Sequence, residues 1–147
     1  MKQIGAPLAG EMTGHLCFAD RWYGFDDALY AAVRLMAATV RLGRSVTALR
    51  SAMPELTSTP ELRIPTDDLR KFAVIDEVRG RLAGMGAEVT TVDGVRVDTP
   101  DGWWLLRASN TQPMLSARAE SRDAAGLARL LAELDAQLAE SGVTRST

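Results

Sequence analysis

The sequence is short of cysteine, of net charge and of long apolar runs, and each shortage excludes something. Cys17 is the only cysteine among 147 residues. No intramolecular disulfide can form, and a reducing, cytoplasmic setting is the natural reading. The formal charge is −2 and the isoelectric point is near 5.4, so the chain carries no basic footprint for nucleic acid. No stretch approaches the length of a membrane span. The amino-terminal stretch lacks the basic start and apolar core of a secretion signal. Neither repeats nor low-complexity tracts occur. What is there is ordinary for a globular protein, 46% hydrophobic and 24% charged, and long enough for one domain or two small ones.

Two polar loops stand out. Residues 107–113 read Arg-Ala-Ser-Asn-Thr-Gln-Pro and follow an apolar run of strand type, Trp103-Trp104-Leu105-Leu106. A strand that opens into a short polar loop can aim backbone N–H groups at an anion. The guanidinium of Arg107 offers a fork of donors that fits a phosphate two bonds at a time, and Ser109, Asn110 and Thr111 add neutral donors. The competing reading is a polar surface turn with an incidental arginine. The second loop is Gly10-Glu11-Met12-Thr13-Gly14-His15. If it is extended, Glu11, Thr13 and His15 face one way. The bland alternative is a glycine-rich connector whose His15 bonds a neighbour.

Between and after these loops the chain reads as alternating elements. Residues 3–6 and 16–20 have the composition of short strands. Asp26-Asp27 begins a helix, where acidic residues suit the positive end. Leu29, Val33, Met36 and Val40 give that helix one apolar face, and Gly43 stops it. Ser45 caps a shorter helix through Arg50. Residues 54–60, with proline, serine and threonine, read as a linker and domain boundary. A strand over residues 61–65 and a helix starting at Thr66-Asp67-Asp68 follow. Leu69, Phe72, Ile75, Val78 and Leu82 form that helix's stripe, and Gly84 or Gly86 ends it. Strands over 88–92 and 95–98 flank Asp93-Gly94, a dipeptide that favours a type I′ hairpin. Pro100-Asp101-Gly102 turns the chain into residues 103–107, and a strand over 114–120 follows the polar loop. Ser121 or Asp123 caps a last helix with Leu127, Leu130, Leu131, Leu134 and Leu138 inward. The expected fold is α+β: an antiparallel four-stranded sheet with helices on one face, over residues 61–141. A partial α/β domain of strand, loop and two helices precedes it over residues 1–53. A disordered tail is expected over 142–147.

Three stretches together carry a family resemblance: Gly10-Glu11-Met12-Thr13-Gly14-His15, Ala19-Asp20-Arg21-Trp22-Tyr23-Gly24-Phe25-Asp26-Asp27, and Arg107-Ala108-Ser109-Asn110-Thr111-Gln112-Pro113. In this order, the chain resembles the carboxy-terminal part of bacterial phosphomannomutase/phosphoglucomutase enzymes of the α-D-phosphohexomutase superfamily. The resemblance implies that residues 1–53 end the third, sugar-recognition domain and that 61–141 form the fourth, phosphate-binding domain. By motif match it implies that Glu11 and Thr13 bind sugar hydroxyls, with His15 beside them as a possible acid or base. Arg107, Ser109, Asn110 and Thr111 are implied to hold the substrate's non-reacting phosphate. Thr13 departs from the family's usual serine and keeps the hydroxyl.

The family's phosphoserine loop, of Thr-Ala-Ser-His-Asn-Pro type, and its Mg²⁺ loop, of Asp-Gly-Asp-Gly-Asp-Arg type, are not in this sequence. Phosphoryl transfer needs an in-line nucleophile and charge neutralisation. The chain is therefore expected to grip a hexose phosphate without turning it over. Mg²⁺ would belong to the full-length enzyme, with none bound here. The implied partners are mannose or glucose 1- or 6-phosphate and the remaining domains of a parent enzyme, with neither nucleic acid nor membrane. Two other functions compete: a stand-alone phosphosugar- or anion-binding module, and a structural or partner-binding α+β domain in which Arg107 pairs with a carboxylate.

Overall fold

A computed structural model describes residues 1–11, 13–85 and 87–145. The chain divides into two compact units, Met1–Pro54 and Glu55–Thr147.

The first unit opens with a 3-10 turn, Lys2–Ile4, where a strand over residues 3–6 was expected; Gly5, at φ 61°, ends the turn. β1 (Leu8–Gly10) then pairs antiparallel with β2 (Leu16–Phe18), Gly10 opposite Leu16. α1 (Ala28–Leu42) begins where the sequence says it should: the carboxylate of Asp27 accepts the Tyr30 N–H at 2.9 Å. Gly43, left-handed at φ 61°, ends α1. Ser45 caps α2 (Val46–Ser51) by accepting the Ala48 N–H. The expectation of a buried face on α1 fails, since none of its residues is buried. Leu29 and Val40 are each 82% exposed, and Val33 and Met36 are exposed as well. The amphipathic pattern is real, but no described residue of this unit buries it.

The second unit is an α+β domain built, among the described residues, on one antiparallel sheet of six strands rather than four. These are β3 (Thr57–Ser58), β4 (Leu62–Pro65), β5 (Val89–Thr90), β6 (Val95–Thr99), β7 (Gly102–Ala108) and β8 (Met114–Ser121). β5, β6, β7 and β8 are successive neighbours, and β3 and β4 both pair with the free side of β8. The linker expected over residues 54–60 is thus partly sheet: Thr57 and Ser58 lie opposite Ser121 and Glu120. Thr59 continues the pairing by donating its N–H to Ala119 O and accepting the Ala119 N–H on its hydroxyl. Polar threonines and serines conceal this strand from any reading of hydrophobic pattern.

α3 (Lys71–Gly84) and α4 (Ala124–Glu140) cover one face of the sheet. The core joins Val74, Val78 and Leu82 of α3 to Leu130, Leu134 and Leu138 of α4 and to Trp104, Leu106, Leu115 and Ala117 of the sheet. α3 starts later than Thr66-Asp67-Asp68 suggests. Asp67 instead bonds the Leu69 N–H and so forms a turn ahead of the helix. Leu69 thus lies ahead of the helix and is 92% exposed; Ile75, Val78 and Leu82 are buried as expected and Val74 joins them, while Phe72 is 53% exposed. The helix runs through Gly84; Gly86, its alternative stop, lies outside the described residues. Asp123 caps α4 by accepting the Gly126 N–H at 2.7 Å. The helices are also stapled to each other: Arg81 donates to the side chain and carbonyl of Gln137 and to the Ser141 hydroxyl. The tail expected to lack order over 142–147 is held through residue 145. Val143 packs on the core and Arg145 pairs with Asp135 at 2.8 Å, while Ser146 and Thr147 lie outside the described residues.

Candidate functional site

In the second unit, alternation along β7 sends Trp104, Leu106 and Ala108 into the core. Trp103, Leu105 and Arg107 go to the opposite face. Arg107 stands in a cross-strand row with Ser116 of β8 and Arg63 of β4. Its guanidinium is half exposed and donates to Asp93 Oδ2 at 3.0 Å. Asp93 comes from the connection between β5 and β6. The type I′ geometry expected there is not adopted, because only Gly94, at φ 82°, has left-handed backbone. Gly94 is needed for a second reason: a Cβ there would meet Leu106 O at 2.3 Å and the Cβ of Arg107 at 2.7 Å. The backbone of one loop thus lies directly against the residue that opens the other.

The loop after β7 is bent by its own serine. Ser109 Oγ accepts the N–H of Gln112 at 3.1 Å and, more weakly, that of Thr111, while Ser109 N–H bonds Met114 O. Asn110 and Thr111 carry exposed side chains at the tip. Arg107, Ser109, Asn110 and Thr111 are therefore together at one end of the sheet. Close by, Glu61 accepts from the Ser116 hydroxyl at 2.8 Å and from Arg63 at 3.0 Å. The Ser116 bond, then Arg63, and more weakly the charge of Arg107 hold the Glu61 carboxyl below its ordinary range. Lys71, which no sequence pattern marks, is buried beneath the loop exit and donates to Gln112 O at 3.0 Å.

In the first unit, the glycine-flanked stretch is not extended. It is the turn joining β1 to β2, closed by Glu11 N–H to His15 O at 2.9 Å and by Gly14 N–H to Glu11 O. Gly14 sits at φ 92°. The side chains meet through the turn rather than through strand alternation: Thr13 Oγ1 donates to Glu11 Oε2 at 3.2 Å. Met12 lies outside the described residues. His15 Nδ1 is 2.6 Å from Asp26 Oδ2, and both side chains are about half exposed, at 56% and 48%. The Cys17–Asp26 bridge brings the two together. Asp27 is committed to its cap and to the Trp22 indole N–H, and Trp22 stacks on Tyr30 at 4.2 Å. Arg21, at φ 61°, is the only non-glycine with positive φ among the described residues. Its carbonyl accepts from Tyr30, and Asp20 beside it is gripped by Arg34 at 2.9 Å.

Each acidic pair is engaged within the chain. Asp26 serves His15, Asp27 and Asp67 cap backbone N–H groups, and Asp68 pairs with Lys71. Among the described residues no cluster of three or more such ligands forms, and no helix is long and apolar enough to cross a membrane.

Comparison with known proteins points one way. The family described as phosphoglucomutase/phosphomannomutase, C-terminal domain, matches residues 61–137. The family described as phosphoglucomutase/phosphomannomutase, alpha/beta/alpha domain III, matches residues 1–56. A phosphomannomutase/phosphoglucomutase of Pseudomonas syringae pv. tomato is 44% identical over 138 residues, 94% of this chain and 30% of the relative. A phosphoglucomutase of Neisseria meningitidis serogroup A is 42% identical over 88% of this chain and 28% of its own length. The crystal structure of a phosphoglucomutase/phosphomannomutase family protein from Burkholderia thailandensis superposes with a TM-score of 0.82 at 41% identity, covering 99% of this chain and 30% of that one. The chain thus spans about a third of the length of the relatives it matches. On these matches and this fold, the chain belongs to the phosphoglucomutase/phosphomannomutase family.

Proposed function

We propose that this chain is the substrate-recognition portion of a phosphohexomutase that interconverts hexose 1-phosphate and hexose 6-phosphate, of mannose or glucose, through a bisphosphorylated sugar. The observation that carries the reading is the grouping of Arg107, Ser109, Asn110 and Thr111 around one self-bent loop with a half-exposed guanidinium at its entrance. Arg107 holds the non-reacting phosphate by charge-assisted bonds, and the loop tip supplies neutral donors. Glu11 and Thr13 take sugar hydroxyls, and His15 moves or holds a proton near them at the nitrogen that Asp26 leaves free.

The chain alone is inactive in this reading, because no residue of it serves as the phosphoryl-carrying serine. Mg²⁺ and the reacting group belong to other domains of the parent enzyme. The parent is placed in the cytoplasm, in keeping with the lone Cys17. The test is a titration with inorganic phosphate followed by amide chemical shifts. Shifts clustered at residues 108–112, with affinity in the millimolar range or about −4 kcal/mol, and lost in Arg107→Ala, are the expected result. Shifts that survive Arg107→Ala overturn the reading.

The Arg107–Asp93 pair favours a second reading, a structural domain whose arginine is already satisfied. In that case phosphate leaves the loop unmoved.

A further inference from the structure

We propose that Lys71 is a positioning residue for the phosphate loop, a role that rests on the reading above. Lysine is among the residues least often fully buried, and a buried ammonium is costly unless it is bonded. Lys71 is 4% exposed. Its Nζ lies 3.0 Å from Gln112 O and 2.6 Å from Asp68 Oδ1, with the Phe72 ring centroid 5.2 Å away. The apolar layer beneath the sheet would be served as well by methionine or leucine. What an ammonium adds is a grip on a loop carbonyl.

That grip has a direction. Gln112 O accepts from Lys71 and from the Met114 N–H at 2.8 Å, so its acceptor capacity is taken up. The next carbonyl, Pro113 O, accepts the Thr66 N–H at 3.0 Å. Two consecutive carbonyls of the loop exit are thereby drawn to the connection after β4, at Thr66, and to the first residue of α3, Lys71. A carbonyl held inward by a cation is kept off the loop's outer side, where its negative end would repel a phosphate. Lys71 therefore acts through the peptide at Gln112 and does not itself touch the anion. The 109–113 turn is short and exposed, and its internal bonds, Ser109 Oγ to two amides, constrain the entry half of the loop. Lys71 constrains the exit half.

The test compares the full chain with Lys71→Met, which keeps the apolar stem, and Lys71→Arg, which keeps a cationic donor. Chemical-shift titration reports on folded molecules alone, so a general loss of stability does not imitate the effect. In Lys71→Met the phosphate dissociation constant rises about tenfold, and exchange of the Met114 amide accelerates by a similar factor relative to Trp104 and Leu106. Lys71→Arg stays within about threefold of the parent. Unchanged affinity and unchanged Met114 exchange in Lys71→Met overturn the proposal. If the parent chain binds no phosphate but Lys71→Met still releases the Met114 amide, the phosphate reading fails while the hold on the loop stands. Should Lys71→Met not fold, the unsubstituted chain decides. Its Lys71 ammonium protons exchange slowly and shift with the same half-saturation as residues 108–112. An ammonium indifferent to a titration that moves those amides overturns the proposal.

Discussion

Arg107 and Asp93, fourteen positions apart, meet at 3.0 Å on the open face of the sheet. A carboxylate so placed competes with any anion for the same guanidinium. Exposed pairs of this kind contribute roughly 0–1 kcal/mol. Asp93→Asn should therefore leave stability almost unchanged and tighten phosphate binding by up to about fivefold. The chemical-shift titration described above measures it, and weaker binding in the variant would show that Asp93 orients Arg107 rather than competing for it.

Gly94 should tolerate no side chain. The left-handed backbone alone costs about 1–3 kcal/mol for a residue with a Cβ, and the contacts with Leu106 O and Arg107 fall well inside van der Waals distance. Gly94→Ala is expected to lower the urea midpoint by more than the backbone term predicts. It should also perturb the Arg107 amide more than that of Trp104. Gly84→Ala is the control, because nothing lies near its Cβ position.

Stability at low pH should depend on Glu77. Arg70 donates to both its oxygens, at 2.5 and 2.9 Å. That pair, with Ser141 second, lowers the Glu77 carboxyl from 4.5 to about 2. A depressed folded-state value stabilises the fold above the unfolded value and is lost as pH falls through the folded one. The window is thus from about pH 4.5 down to about 2. Unfolding titrations across it should give a flatter profile for Glu77→Gln than for the parent chain. The remaining slope should come from Glu61, Asp98 and Asp101, which are lowered in the same sense.

The chain should self-associate through α1. Leu29, Val33, Met36 and Val40 recur at helical spacing and all are exposed, and a contiguous apolar stripe of that kind seeks a partner. Sedimentation should show mass rising with concentration, and Val33→Glu should restore a monomer. A chain that stays monomeric at high concentration would show that the stripe is too narrow to hold two copies.

What the sequence disclosed was mostly local. Asp27, Ser45 and Asp123 act within three residues of themselves, so their caps were legible from type and spacing alone. So was the leucine face of α4. What stayed hidden depends on distant partners or on where an element starts. A turn at Asp67 leaves Leu69 ahead of α3, and within the helix Val74 rather than Phe72 is buried beside Ile75, Val78 and Leu82. β3 is written in threonine and serine and exists because β8 has a free side to pair with. Among the functional candidates, the loop at 107–113 announced itself by composition. The residues that act on it did not. Asp93 and Lys71 reach it from 14 and 41 positions away, and a surface aspartate and a helical lysine are the commonest of residues. For His15 the connector reading, in which it bonds a neighbour, is the one the turn fulfils, but the identity of that neighbour, Asp26 eleven positions on, carries no sequence signal.

The two short strands on the free side of β8 have a consequence for how the molecule survives at high concentration. A sheet edge with a long row of unused N–H and C=O groups is a template on which fibrils grow. Here that edge is cut into pieces of two and four residues, with Pro60 between them and Pro65 closing the second. The opposite edge, β5, is only two residues long. Proline has no N–H to offer an incoming strand, so neither border can be extended far. Whatever sticking the exposed helix of the first unit causes, it should give loose, reversible oligomers that dissolve on dilution, not the ordered cross-β aggregates that open sheets nucleate.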